Sequence, residues 1–289
     1  MRDRVVDGLV ASGDIDSDRV AQVMRRVPRH LFAPGASLEE AYSTYSAFVT
    51  KRDVSGVAVS SVSAPRIQAF MLEQAGVRRG MRVLEIGSGG LNGAYLAELV
   101  GDEGSVTTVD IDPEVTGRAG ELLKANGYDR VRVATADAVD GVPDGAPYDV
   151  IMVTVGAWDV PPASREQLTG GGRLVVPLWV RGLMRSVGLR REGGRLVSSS
   201  VRVCGFVPMR GAGAHASQVV QLSGTEGVTL RFDDGLPVEP GVLPGVLDGP
   251  RVEEWSGVMV RRGGGGGHAA DVSGDRAARV LHHGRRYRP

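Results

Sequence analysis

The chain of 289 residues has one cysteine, two lysines and no excess of charge of either sign. A lone Cys204 excludes an intrachain disulfide and any zinc site built from several cysteines. Basic and acidic residues number 34 each, so neither nucleic acid nor a membrane surface is an expected partner. No apolar run approaches the length of a transmembrane helix and the N-terminus has no apolar signal-peptide core, so we expect a cytoplasmic protein.

No metal site is expected from the five histidines. His30 and His215 are isolated, and His268, His282 and His283 lie in a C-terminal segment without the spacing of metal ligands. Hydrophobic residues make up 42% of the chain, which suffices for a sizeable core. The length allows one large α/β domain with an extension, or two small domains.

The stretch over residues 81–112 predicts two buried strands around a glycine-rich turn. Val83–Ile86 is rich in β-branched residues, breaks at Gly87–Gly90 and continues with a helical pattern. Glycine lets a ligand lie against bare backbone and adopts the positive φ that such a turn requires. Asp110 follows about twenty residues later at the end of the next strand, where a carboxylate can accept hydrogen bonds from both ribose hydroxyls. This pattern predicts a site for a cofactor that contains adenosine.

The glycine spacing discriminates between such cofactors. A dinucleotide fingerprint G-x-G-x-x-G that starts at Gly87 requires a third glycine at position 92, where this chain has Asn92. A start at Gly90 fails at the same residue, and no G-x-x-x-x-G-K-[ST] loop is present. S-adenosylmethionine, which has a ribose but no phosphate, therefore fits best, and an NAD-dependent oxidoreductase is a distant alternative.

Helical and strand patterns alternate through the middle of the chain. Helices are predicted over residues 14–27, 63–76, 113–126 and 161–168, with Ser63 as an N-cap, and strands over residues 131–135 (buried), 148–155 and 172–178. Residues 39–62 lack periodicity and are predicted to be irregular and partly exposed. The alternation predicts an α/β fold with a doubly wound, mostly parallel, Rossmann-like sheet, whose ligands bind at the carboxyl ends of the strands.

The predicted organisation has four parts. A helical and irregular lobe over residues 1–62 precedes a cofactor-binding domain over residues 63–222, a C-terminal extension over residues 223–260 and a tail over residues 261–289. The tail begins near a run of glycines and contains arginine and histidine, a composition that is typical of disordered segments.

Five sequence blocks, in the same order, resemble the protein-L-isoaspartate O-methyltransferases. They are VPRHLFAP at residues 27–34, SAP at 63–65, VLEIGSG at 83–89, DGAPYDVIMVT at 144–154 and GGRLVVP at 171–177. Three further stretches are GSGGLN at residues 87–92, VTVGAWDVPP at 153–162 and VCGFVPMRGAGAH at 203–215. These three are most similar to a branch of the family encoded beside ribosomally synthesised peptides of the lanthipeptide and FxLD type. The resemblance spans about residues 27–209 and implies the class I S-adenosylmethionine-dependent methyltransferase fold.

The resemblance also implies roles for individual residues. Those matched to cofactor binding are Gly87, Ser88 and Gly89 at the methionine end, Asp110 with Ile111 at the ribose, and Asp137 with Ala138 at the adenine. Ser63 matches the active-site serine, and Ser61 and Arg66 are candidates for substrate contact. Arg66 stands where repair enzymes can carry histidine, which weighs against isoaspartate recognition, although a guanidinium can hold a carboxylate by two hydrogen bonds.

The chemistry implied by the resemblance needs no catalytic base. A carboxylate has an ordinary pKa of about 4, so it is ionised at neutral pH and can attack a sulfonium methyl group directly. We expect methylation of an Asp or isoAsp side chain in a ribosomally made precursor peptide, leading to succinimide and isoaspartate. The alternatives are repair of isoaspartyl residues in damaged proteins and, in another class, an inactive scaffold that binds a peptide. The sequence does not indicate an oligomeric state.

Overall fold

The computed structural model describes residues 1–180, 182–215, 218–221 and 229–232. Residues 1–216 form one compact unit and residues 217–289 a second, and the two are described separately. The predicted tail over residues 261–289 lies outside the described residues, as does the predicted extension over residues 223–260 except for residues 229–232. None of the described helices is both long enough and apolar enough to cross a membrane.

The described helices and strands have the following bounds. The helices are α1 (Arg2–Ala11), α2 (Asp18–Arg26), α3 (Leu38–Ala41), α4 (Pro65–Ala75), α5 (Leu91–Val100), α6 (Pro113–Ala125) and α7 (Pro162–Glu166). The strands of the first unit are β1 (Phe48–Arg52), β2 (Ala58–Val62), β3 (Arg82–Ile86), β4 (Ser105–Asp110), β5 (Arg132–Thr135), β6 (Tyr148–Val153), β7 (Leu168–Val180), β8 (Leu183–Glu192) and β9 (Arg195–Val203). In the second unit, β10 (Gln218–Gln221) and β11 (Thr229–Phe232) form an antiparallel pair.

A seven-stranded sheet in the order β5-β4-β3-β6-β7-β8-β9 lies at the centre of the first unit. The neighbours from β5 to β7 are parallel, and β8 and β9 continue the sheet in antiparallel fashion. Along β6, Val150 and Met152 enter one hydrophobic core while Ile151 and Val153 enter the other, because a parallel strand is covered on both faces. The predicted mostly parallel α/β class is confirmed, whereas β8 and β9 were not predicted.

The two faces of the sheet are covered unequally. Helices α1, α2, α4 and α5 share one hydrophobic core with the strands. The opposite face is covered by the five-residue α7 and by 3-10 turns at Ala138–Asp140 and Pro143–Gly145. On the antiparallel strands, Leu183, Val201 and Val203 are exposed. Among the described residues, no strand pairs with the outer edge of β9.

Residues 39–62, predicted to be irregular, contain most of α3 and an antiparallel hairpin of β1 and β2, so that prediction is wrong. We call residues 48–62 the hairpin. Register shifts on both sides of Lys51 interrupt the alternation of its strands, and their side chains are mostly half-buried, so no clear period is visible in the sequence. The turn closes at Gly56, with φ +85°, and Asp53 Oδ1 accepts the amide hydrogen of Val57 at 2.9 Å.

Several predicted boundaries also need correction. The helix predicted from Asp14 starts at Asp18, because the Ser17 hydroxyl caps it, and α1 precedes it as a separate helix. Ser63 does not cap α4, since Ala64 occupies the N-cap position and no side chain bonds there. Strand β5, predicted to be buried, is an edge strand with partly exposed residues.

A buried arginine joins the N-terminal segment to the start of α4. Arg29 lies in a 3-10 helix (Arg29–Phe32) and is 2% exposed. Its guanidinium donates to the carbonyl oxygens of Ala41 and Ser63 and to Oε1 of Gln68, and burial lowers its pKa. Every one of these acceptors is neutral, so the planar array of donors, rather than a paired carboxylate, holds the cation in place.

We expect Arg29→Met to lower the free energy of unfolding by at least about 3 kcal/mol, because three buried acceptors lose their donor. Arg29→Lys should also destabilise, since an ammonium cannot reach the same three acceptors in one plane. Urea denaturation followed by circular dichroism measures both. The control is Arg26→Met, whose side chain is 73% exposed and which should change stability by less than about 1 kcal/mol. Equal midpoints for Arg29→Met and the wild type would contradict this account.

Candidate active site

The glycine-rich turn between β3 and α5 presents bare backbone to the hairpin. Gly87 has φ +101° and Gly90 has φ +84°, values that favour glycine, so the expected positive φ is confirmed. A Cβ added at Gly87 would lie 2.6 Å from Thr154 Oγ1. A Cβ at Gly89 would meet only the Ser61 carbonyl oxygen, at 3.9 Å, so space remains between the turn and the hairpin.

A cleft in two parts runs along the carboxyl ends of β3, β4 and β5. The first part, of about 590 Å³ including its mouth, is lined by residues that include Ser61, Ser63, Glu85, Gly87, Ser88, Gly89 and Asp110. The second part, of about 410 Å³, is lined by residues that include Asp110, Ile111, Asp137, Ala138, Met209 and Arg210. Val59, Gly87, Asp110 and Val155 line both parts, so the cleft is continuous. The predicted site residues other than Arg66 therefore line one cleft.

Asp110 lies where the two parts of the cleft meet. Its Oδ1 accepts the amide hydrogen of Asp112 at 3.0 Å and lies 3.5 Å from Nη2 of Arg210. Burial raises the pKa of Asp110, while the Asp112 amide and the Arg210 charge oppose the rise. Because one carboxylate oxygen is held by these donors, the orientation of the group is set before a ribose diol reaches it.

The far end of the cleft is covered by residues 207–213, which we call the strap. Two backbone hydrogen bonds join the strap to Gly156. The amide of Gly156 donates to the carbonyl oxygen of Val207 at 2.8 Å, and the amide of Met209 donates to the carbonyl oxygen of Gly156 at 2.8 Å. Asp137 Oδ2 accepts the amide hydrogen of Ala212 at 2.7 Å. The predicted adenine site is thus bounded by a segment that follows β9, which the sequence did not connect with this site.

Glu85 is the cleft residue that the sequence analysis missed. It is 1% exposed, and its Oε2 has no hydrogen-bond partner among the described residues. Burial raises the pKa of Glu85 from 4.5 to about 7, although Thr108 and Asn92 oppose the rise. The signal was a carboxylate inside the apolar strand VLEIG, where a charged residue is rarely tolerated without a function.

The Ser88 hydroxyl is the second buried group of the cleft without a partner among the described residues. A methionine moiety carries an ammonium group and a carboxylate. Glu85 could accept from the ammonium group, and Ser88 could donate to the carboxylate. Together with Asp110 for the ribose, these unpaired groups fit S-adenosylmethionine. Gly87 and Gly89 have no side chains, so the turn leaves room for S-adenosylmethionine against the backbone.

Arg66 lies outside the cleft, and its predicted substrate contact is not supported by the geometry. Its Nε donates to Oδ2 of the buried Asp14 at 3.0 Å. Asp14 also accepts from Arg202 and from the Ser12 hydroxyl. The guanidinium of Arg66 therefore compensates a buried carboxylate, which would be costly to leave unpaired. Ser61 and Ser63, in contrast, both line the first part of the cleft.

The profile of the protein-L-isoaspartate(D-aspartate) O-methyltransferase (PCMT) family matches residues 1–214. The chain belongs to this family. The protein-L-isoaspartate O-methyltransferase of Methanopyrus kandleri is 40% identical over 214 residues, which cover 73% of this chain and 91% of that protein. The protein of the same name from Ignicoccus hospitalis is 43% identical over 175 residues, which cover 60% of this chain and 80% of that protein.

Solved structures agree with this membership. A protein-L-isoaspartate O-methyltransferase structure has a TM-score of 0.67 and 30% identity, covering 74% of this chain and 67% of that chain. A Plasmodium falciparum structure in complex with S-adenosyl-L-homocysteine has a TM-score of 0.62 over 72% of this chain and 98% of that chain; at 17% identity it shows the fold alone. The chain is an S-adenosylmethionine-dependent carboxyl O-methyltransferase of class I fold, as predicted.

We expect Glu85→Gln to change stability in a pH-dependent way. The folded protein binds the Glu85 proton more tightly than the unfolded chain does, so wild-type stability falls as the pH rises from 4.5 to about 7. The variant escapes this loss, so without ligand it should be more stable than the wild type at about pH 8.5, by at most about 3 kcal/mol, and no more stable at about pH 4.5.

Thermal and urea unfolding at the two pH values measure this difference, and Glu121→Gln on the exposed face of α6 is the control. The same variant should bind S-adenosylhomocysteine at least about tenfold more weakly, because an amide replaces a charge-assisted acceptor. A stability difference that does not depend on pH would show that Glu85 is not the buried titrating group.

Proposed function

We propose that this PCMT-family enzyme methylates the free α-carboxylate of L-isoaspartyl residues in proteins and peptides. The observation that carries the proposal is the placement of Ser63. Ser63 lines the same part of the cleft as Gly87–Gly89 and Glu85, and its described hydrogen bond, from Arg29, goes to its carbonyl oxygen and not to its hydroxyl. That hydroxyl is available to donate to a substrate carboxylate beside the methionine end of the cofactor site.

The lining of the first part of the cleft suits a nucleophile that is already ionised. Among the described residues, this lining includes no histidine, lysine, arginine, cysteine or tyrosine. A carboxylate does not need one, because its ordinary pKa lies well below neutral pH. S-adenosylmethionine, when bound, supplies a methyl group on a sulfonium. The chain's own residues hold the carboxylate in line through Ser63 and exclude water through Val62, Phe206 and Val207.

The expected product explains how such an enzyme serves repair. A methyl ester carries a better leaving group than a carboxylate, so the following backbone nitrogen attacks the ester carbonyl. The new C–N bond closes a succinimide, and the ester oxygen leaves with a proton as methanol. Water then opens the ring at either carbonyl, which returns part of the material to aspartate and part to isoaspartate.

Arg66 does not weigh against isoaspartate recognition, since it pairs with Asp14 away from the cleft.

A second candidate, tailoring of a ribosomally made precursor peptide, is favoured by a different observation. Two of the three stretches most similar to the peptide-tailoring branch, residues 153–162 and 203–215, are joined in space. Gly156 bonds the strap, and Trp158 stacks on His215 with ring centroids 3.9 Å apart.

The deciding experiment offers three peptides to the enzyme with S-adenosylmethionine. They are a linear isoaspartyl peptide, its aspartyl counterpart and the modified precursor peptide encoded nearest the gene. We expect mass spectrometry to show one added methyl group on the isoaspartyl peptide and none on its aspartyl counterpart. Methylation of the precursor alone, or its net loss of one water after ring closure, would replace repair with peptide tailoring.

We expect Ser63→Ala to lower kcat by about 10- to 100-fold, because the carboxylate loses a positioning donor. Stability should not change, since Ser63 is not the cap of α4, and affinity for S-adenosylhomocysteine should be retained. Initial rates with the isoaspartyl peptide and calorimetric titration test these points. The matched control is Ser198→Ala on the exposed edge strand β9. Wild-type kcat for Ser63→Ala would remove this residue from the mechanism.

A further inference from the structure

Two elements that cover the cleft, the hairpin and the strap, meet at one carboxylate. Lys51 of the hairpin places Nζ 2.8 Å from Oδ2 of Asp112. Arg210 of the strap places Nη2 3.2 Å from the same oxygen. Asp112 belongs to neither element, because it is the N-cap of α6 at the end of the loop that follows β4.

Asp112 is held firmly and in its ionised form. It is 9% exposed, and its Oδ1 accepts the amide hydrogen of Glu114 at 3.0 Å. Burial would raise the pKa of Asp112, but the bonds from Lys51, the Glu114 amide and Arg210 outweigh it and lower the pKa to about 2. The Lys51 and Arg210 side chains are 24% and 36% exposed, so these ion pairs are partly shielded from solvent and less screened by salt than fully exposed pairs.

The hairpin and the strap both contribute residues to the adenine end of the cleft. Val59 of the hairpin and Met209 and Arg210 of the strap line that cavity together, above Asp110 and Asp137. Lys51 itself lines neither part of the cleft. Widening the gap between hairpin and strap requires at least one of the two contacts with Asp112 to break.

We propose that Lys51, Asp112 and Arg210 form a clasp that joins the hairpin to the strap over the adenine end, and that this clasp opens whenever the cofactor enters or its product leaves. The Lys51 contact of the clasp controls access and not the contacts of the bound cofactor, because Lys51 lines neither part of the cleft. A weaker clasp therefore raises the association and dissociation rates by the same factor and leaves the dissociation constant unchanged. A residue that only contacts the ligand would change the dissociation rate and the affinity together.

The test uses Lys51→Met and the exposed Lys124→Met, which is a matched control because these are the two lysines of the chain. Surface plasmon resonance on the full chain gives both rates for S-adenosylhomocysteine. We expect both rates to rise about fivefold in Lys51→Met, with the dissociation constant changed by less than about twofold, and no change in Lys124→Met. Unchanged rates, or a faster dissociation with proportionally weaker binding, would overturn the clasp.

A second variant tests the clasp if Lys51→Met folds poorly. Asp112→Asn keeps an N-cap side chain and the amide that bonds Asp110, but it removes the charge that both cations share. It should raise both rates as Lys51→Met does. Without ligand, hydrogen exchange of the hairpin and strap amides should also accelerate in both variants. Exchange equal to that of Lys124→Met would show that the three residues do not hold these elements together.

Discussion

The N-terminal segment depends on the buried guanidinium of Arg29. One planar group satisfies acceptors from three places in the chain, on α3, on α4 and immediately before α4. A cation without a carboxylate partner is costly to bury, so its charge can be tolerated only while all its donors are bonded. The carbonyl of Ser63 is one of the acceptors, and the position of the reactive end of the cleft is therefore coupled to the packing of residues 1–41.

The cleft contains two carboxyl groups, Glu85 and Asp110, whose burial does not stabilise the folded protein. Glu85 is buried without a cation, and burial raises its pKa because the ionised carboxylate is poorly solvated inside the fold. Asp110, by contrast, is oriented by an amide and by Arg210. The two carboxylates therefore suit different ligand groups. Glu85 lacks a positively charged partner, whereas Asp110 is oriented to accept from neutral hydroxyls. A ligand that carries both an ammonium group and a ribose satisfies both requirements.

The sequence alone predicted those features that local pattern encodes. Strands β3, β4 and β6 are mostly buried and rich in β-branched residues, and the turn at Gly87–Gly90 is defined by glycine spacing. Features made by distant pairs were not predictable: Lys51 and Asp112 are 61 residues apart, and Arg66 and Asp14 are 52 apart. The hairpin was missed because its register shifts erase the two-residue period. Lysine occurs only twice in the chain, and Lys51 is the residue that ties the hairpin to Asp112.

The antiparallel end of the sheet has a consequence for the behaviour of the protein at high concentration. An edge strand has unpaired amide and carbonyl groups that can bond to another chain. Strand β9 is such an edge among the described residues, and Val201 and Val203 on it are exposed. Two features make this edge less suitable for pairing with another strand. One is the register shift opposite Gly188, and the other is the pair of charged residues Glu192 and Arg195 at the β8–β9 turn. These residues therefore act against the association of crowded or heated molecules into β-rich aggregates.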